Sequence, residues 1–247
     1  MTDVTRRDRA RADTERDIRH TAHKLLVEQG REAVTLRAIA RVLGITAPAL
    51  YRYYASRDAL LQELCRDVCA DLTATAQLAM DNVPAADGPG RVSAICRSFR
   101  SWSLAHPQEF SLVFGSPKEP SALRTEWHPA DDPFARVFLG LMARFFAETG
   151  GIVDTEGQSI DWVPPDLVDD LREYEYVLRE VLEEMGAEIR GFPLNLAVIH
   201  LSLQWWVRLY GHVALEVFGA FPFALSDSEA LFETLLEDLA KSTGVSG

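Results

Sequence analysis

The 247 residues are 47% apolar, enough for a sizeable core in one large domain or in a small one plus a larger one, and the second arrangement is expected. A net charge of −12 argues against a nucleic-acid partner taken alone, but residues 1–60 hold twelve Lys/Arg against eight Asp/Glu and the remainder thirteen against twenty-nine, so one part suits a polyanion and the rest does not. No apolar run reaches the roughly 18 to 20 residues of a membrane span, and the opening MTDVTRRDRARADTERD lacks the apolar stretch of a secretory signal, so a cytoplasmic protein without membrane contact is expected.

Helical periodicity runs along nearly the whole chain and strand-like alternation is essentially absent, which predicts an all-α fold. Residues 1–13 read as a basic arm carrying Arg6, Arg7, Arg9 and Arg11, either a solvated, disordered terminus or an arm that enters a DNA minor groove. A first helix is predicted from about Thr14 to Gln29, with Ile18, Ala22, Leu25 and Leu26 on one face and Gly30 as its stop. A second starts behind Thr35 as N-cap and ends at Gly44. A third starts behind Thr46 with Pro48 in its first turn, where a missing N–H costs nothing.

Ser56 then caps a long helix, with Asp58 near its positive end and Leu60, Leu61, Leu64, Val68 and Leu72 continuing an apolar stripe to about Met80. Cys65 and Cys69 lie four apart on it. With Cys96 they are too few and too irregular for a disulfide framework, and no His or third Cys stands at zinc-ligand spacing, so they read as small core residues. Turn residues fill 81–90, and helices follow at roughly 91–105, 107–115, 133–149, 166–186, 194–219 and 227–241. The connections 116–132, with Trp127 and His128, and 150–165, with Trp162, have the length of functional loops and read as lids.

From Leu36 to Tyr53 the chain reads LRAIARVLGITAPALYRY, the anatomy of a helix-turn-helix. Ile39, Leu43, Ile45 and Leu50 supply apolar contacts between two short helices, Ala40 lets them approach, and Gly44 can take the positive φ of the turn. The exposed positions Thr46, Ala47, Pro48, Ala49, Arg52 and Tyr53 suit methyl contacts to thymine and phosphate anchoring better than dense base-edge hydrogen bonding. The segment from about Arg16 to Leu61, with Leu-Tyr-Arg-Tyr-Tyr at 50–54 and Ser-Arg-Asp-Ala-Leu-Leu at 56–61, resembles the amino-terminal domain of the TetR family. Tyr53 and Arg57 stand where that family usually has histidine and lysine.

The resemblance implies that Thr35, Arg37, Tyr51, Tyr53 and Arg57 meet phosphates while Thr46 through Ala49 face the bases; Arg52 joins the backbone contacts, and Tyr54 packs in the core. It implies a division into residues 14–56, the DNA-binding domain, and 57–247, a helical ligand-binding and dimerisation domain. It further implies a homodimer paired through the last two long helices, on near-palindromic double-stranded DNA. The helix from Leu194 to Phe218 is apolar on most faces, more than one intramolecular contact needs. Its run from Trp206 to Glu216 resembles the Trp-x-x-x-His-Gly and Leu-Glu signature of one TetR subgroup, with Tyr210 where the histidine would stand.

Trp102, His106 and Phe110 are candidates to line an effector pocket with Tyr174, Val177 and Trp205, which suits a largely apolar small molecule; plain core packing is the alternative. The expected role is a repressor released by that molecule, the rival a ligand-independent activator or architectural DNA binder. His212 with Glu216 and His20 with His23 lack a further ligand at metal spacing, and no phosphate loop or nucleophile elbow occurs, so neither metal, cofactor nor enzyme activity is expected.

Overall fold

The computed structural model describes residues 6–115, 163–184 and 195–242, and all regular structure among them is helical. In chain order the helices are α1 (Arg6–Gln29), α2 (Leu36–Leu43), α3 (Ala47–Leu50), α4 (Arg57–Asp81), α5 (Gly88–Ala105), α6 (Pro107–Phe114), α7 (Val168–Glu184), α8 (Leu196–Val217) and α9 (Ser228–Ser242). They fall into two compact units: Met1–Ala70 with His106–Pro117, and Asp71–Ala105 with Lys118–Gly247. The helix expected at 133–149, Trp127, His128 and Trp162 lie outside the described residues.

α1 is already helical at Arg6, ahead of the expected start at about Thr14, so the part of the basic arm that is described is helical. Its composition explains this. Arg11 Nε pairs with Glu15 at 2.9 Å, Arg16 with Asp13 at 3.1 Å, and the Thr14 hydroxyl donates back to the Ala10 carbonyl, all contacts along a single helix. Gly30, at φ 80°, ends the helix as expected.

The core of the first unit gathers Ile18, Leu26, Ile39, Leu50, Leu60 and Leu64 from α1 to α4, each worth about 1.5–3 kcal/mol when fully buried. Leu112 of α6 lies in the same core. Phe110 is fully buried with its ring centroid 4.7 Å from that of Phe114, and the buried Glu109 carboxylate sits 3.3 Å from His23 Nε2 of α1. The first unit takes in α6 and the first part of α4.

In the second unit α8 packs on α5, α7 and α9. Asn195 Oδ1 caps α8 by accepting from the Val198 amide at 2.9 Å, and Asp227 Oδ1 caps α9 through the Ala230 amide at 2.8 Å. Leu201, Leu209 and Val213 of α8 point inward. Leu203, Val207 and Leu215 are exposed, and with Gly211 they recur every four residues along one stripe of the helix.

Candidate nucleic-acid interface

The interface begins at the turn between α2 and α3. Gly44 adopts φ 66° and ψ 25°, its N–H bonds to Ala40 O, and the Ile45 N–H also reaches Ala40 O at 3.0 Å; these close α2 and reverse the chain. Ile39, Ala40 and Leu50 are buried behind the turn while Leu43 and Ile45 pack against them. α3 is only four residues long, and the Thr46 side chain makes no capping bond to it.

Thr46, Pro48, Tyr51 and Arg52 are exposed, Tyr51 by 58%, on one short segment that α2 buttresses from behind. Ala49 is half-buried, and Ala47 packs partly against the core, which leaves it less available to a base than the expectation for Thr46 through Ala49 implies. Tyr53 is half-buried. The Arg11 guanidinium lies 5.9 Å from its ring centroid, so the amino-terminal turns of α1 stand beside the recognition segment, a neighbour that local sequence patterns did not reveal. Tyr54 is buried as expected; burial pushes its hydroxyl up against the opposing hydrogen bond from Arg19.

At the other end of α2, Thr35 Oγ1 accepts from the Ala38 amide at 3.1 Å, and Arg37 is exposed one residue into the first turn. Arg41, in the last turn of the same helix, is also exposed, a cation that the motif alone does not single out. Arg57, expected to meet phosphate, also holds backbone. Its Nε donates to Val34 O at 2.8 Å and its Nη2 to Arg31 O at 2.7 Å, within the short turn that precedes α2.

The six candidates for an effector pocket are divided. His106 stands at the N-cap position of α6 in the first unit without a side-chain capping bond, and Phe110 is fully buried there, whereas Trp102, Tyr174 and Trp205 belong to the second unit. Trp102 is buried there, with its indole N–H donating to Asp71 Oδ2 at 2.7 Å. The Trp205 indole nitrogen is buried and has no acceptor among the described residues. Val177 is in α7, its side chain outside the described residues. Among the described residues no cluster of His, Cys, Asp and Glu is arranged to hold a metal, and no helix is long and apolar enough to cross a membrane.

A buttressed two-helix unit joined through a left-handed glycine, presenting hydroxyl, tyrosine and arginine side chains on its outer segment, defines a helix-turn-helix DNA-binding protein. Residues 18–64 match the family of bacterial regulatory proteins named for TetR, and residues 92–239 match the tetracyclin repressor-like C-terminal domain. The chain belongs to the TetR family of transcriptional regulators, and it is a DNA-binding regulator, not an enzyme. HTH-type transcriptional regulator Mb1846 of Mycobacterium bovis is 32% identical over 219 residues, covering 88% of this chain and 86% of its own, and Rv1816 of Mycobacterium tuberculosis matches to the same extent. The fold is shared with the solved structure of SCO4313, at a TM-score of 0.62 and 24% identity over 96% of this chain and all of that one. A Rhodococcus protein of unknown function shares it at a TM-score of 0.53 and 19% identity, over 92% and 95% of the two chains.

Proposed function

We propose that the chain acts in the cytoplasm as a dimeric repressor that a small, largely apolar molecule releases from a near-palindromic operator. The observation that carries the DNA-facing half is the exposed segment Thr46, Pro48, Tyr51 and Arg52 standing clear of a core that fixes it from behind. Thr46, Pro48 and Ala49 meet base edges and thymine methyls, while Thr35, Arg37, Tyr51, Arg52 and Tyr53 meet phosphates. Dimerisation is supported by the exposed stripe of Leu203, Val207 and Leu215 on α8, apolar surface that one protomer leaves uncovered. Two symmetric heads then require half-sites about 34–36 Å apart.

The effector site belongs to the second unit, around Trp102, Tyr174, Val177 and Trp205. An acceptor atom on the ligand would satisfy the Trp205 indole N–H, which otherwise carries a desolvation penalty of about 1–3 kcal/mol. A coupling of about 1–3 kcal/mol between that site and the heads is enough to change operator affinity roughly 5- to 150-fold. The test is selection of bound duplexes from a random pool, followed by titration of the selected operator with wild type and Arg52→Ala. An enriched palindrome and a weaker Arg52→Ala complex are expected; equal affinity of the two folded proteins across salt rejects this docking. A compound screen for release of the operator then tests the repressor half.

A further inference from the structure

We infer that Arg57 is a positioning residue of the DNA-binding surface and not one of its phosphate contacts: it sets the amino-terminal end of α2 by tying the turn before it to the start of α4. The inference rests on the reading of Thr35 and Arg37 as phosphate contacts.

The geometry is two-pronged. Arg57 Nε donates to Val34 O at 2.8 Å and Nη2 to Arg31 O at 2.7 Å, with Glu32 Oε2 a further 3.4 Å from Nη2. Arg31 O also accepts the Val34 N–H at 3.2 Å, so both of its lone pairs are engaged. Val34 is fully buried, and its carbonyl belongs to the peptide unit that leads into Thr35. Holding that carbonyl fixes the peptide plane at the N-cap. From there Thr35 Oγ1 takes the Ala38 amide and Thr35 O takes the Ile39 amide at 3.1 Å, while the Leu36 and Arg37 amides precede the helical ladder and point along the positive end of the helix.

The other end of the tie is equally fixed. Arg57 is the first residue of α4, whose N-cap Ser56 accepts the Ala59 amide at 3.0 Å, and Leu60, Leu61 and Leu64 root that helix in the core. The side chain is only 32% exposed. Two carbonyls at this separation match the planar fork of a guanidinium, which an ammonium cannot reproduce with its single point of charge. Nε and Nη2 are committed to backbone, with a carboxylate beside Nη2, which leaves Nη1 as the open edge of the guanidinium; the two backbone bonds serve DNA through the shape of the α2 terminus, and the salt slope separates that from a contact through Nη1.

Direct contact and positioning make opposite predictions for lysine. A phosphate contact depends on charge, so Arg57→Lys would restore it and Arg57→Gln would lower the slope of log affinity against log salt by about one. A positioning role depends on the fork. Arg57→Lys and Arg57→Gln should then both weaken a selected operator about tenfold with the salt slope unchanged, and both should speed hydrogen exchange in residues 31–38 while amides of α1 and α4 stay protected. Full affinity in Arg57→Lys, a reduced slope in Arg57→Gln, or unchanged exchange at 31–38 would overturn the inference. Where Arg57→Gln loses protection throughout the first unit, the Arg57→Lys comparison decides. A wild-type protein that enriches no duplex removes the DNA-contact reading and this inference together, whereas wild-type binding matched by Arg57→Lys removes this inference alone.

Discussion

Arg100 and Glu216 form a two-pronged ion pair inside the second unit, Nε and Nη2 of the arginine donating to the two carboxylate oxygens at 2.8 and 2.7 Å with side chains only 15% and 9% exposed. The Ser228 hydroxyl donates to the same carboxylate at 2.5 Å, His212 Nε2 stands 3.7 Å away, and the guanidinium lies 5.3 Å from the centroid of the Phe232 ring. One carboxylate thus joins α5, α8 and the start of α9. Burial would push the Glu216 carboxyl up, but the hydrogen bonds from Arg100 and Ser228, with the charge of Arg100, outweigh it and hold the group below its ordinary 4.5. Burial lowers His212 from its ordinary 6.5, and Arg100 adds to that, against the opposing pull of Glu216.

Both depressed values make the fold acid-sensitive. Between each folded value and its ordinary one the unfolded chain binds more protons, so stability is whole above 6.5, declines as the unfolded His212 charges below 6.5, and declines again below 4.5 as Glu216 loses its ionised advantage. Urea midpoints measured from about pH 7.5 downward should fall in two stages. Glu216→Gln should cost about 3–5 kcal/mol at neutral pH, because it leaves Arg100 buried without its counter-charge, and should flatten the lower stage. A wild-type midpoint level from neutrality to about pH 4 contradicts this account.

Val207 tests the dimer. It is 63% exposed at the centre of the α8 stripe, so a charge there costs the protomer little while an interface core excludes it. Wild type should sediment as a dimer and Val207→Glu, at the same concentration, as a folded monomer, with operator affinity reduced to that of a single head. A monomeric wild type would reject the proposed dimer, and a dimer unchanged by Val207→Glu would reject this stripe as its interface.

Leu112 tests the membership of α6 in the first unit. It is 4% exposed in the core that holds Ile18, Leu26 and Ile39, so Leu112→Ala should cost about 2–5 kcal/mol. Hydrogen exchange should localise the loss to α1 and α2. Protection of α1 amides equal to wild type would mean that α6 contributes nothing to the head.

Local chemistry makes part of this legible in the sequence, and long-range packing hides the rest. Gly30, Gly44 and Thr35 are punctuation whose meaning is set within a few residues, and each stands in its expected backbone role. Four arginines in a short stretch read as an arm and conceal the helix that already runs at Arg6, although the pairing of Arg11 with Glu15 is present in the spacing. The place of α6 was beyond periodicity, since an apolar face announces that a helix is buried but not against what. Arg57 illustrates the same limit at a single side chain. Its position in the motif marks a cation, and only the fold determines that its hydrogen bonds end on Val34 and Arg31.

Gly44 separates backbone strain from crowding at the turn. At φ 66° it occupies the left-handed region, and a Cβ added there meets nothing within 4 Å, so the cost of substitution is conformational alone. Gly44→Ala should destabilise by about 1–2 kcal/mol, and Gly44→Asn by less, because asparagine tolerates that region better than other side chains. The order of melting temperatures should be Gly, Asn, Ala. Operator affinity measured well below the transition should change little, since the altered atom points into open space. An alanine variant as stable as wild type would mean that the turn relaxes out of the left-handed conformation. An asparagine variant less stable than alanine would point instead to a contact made by the longer side chain.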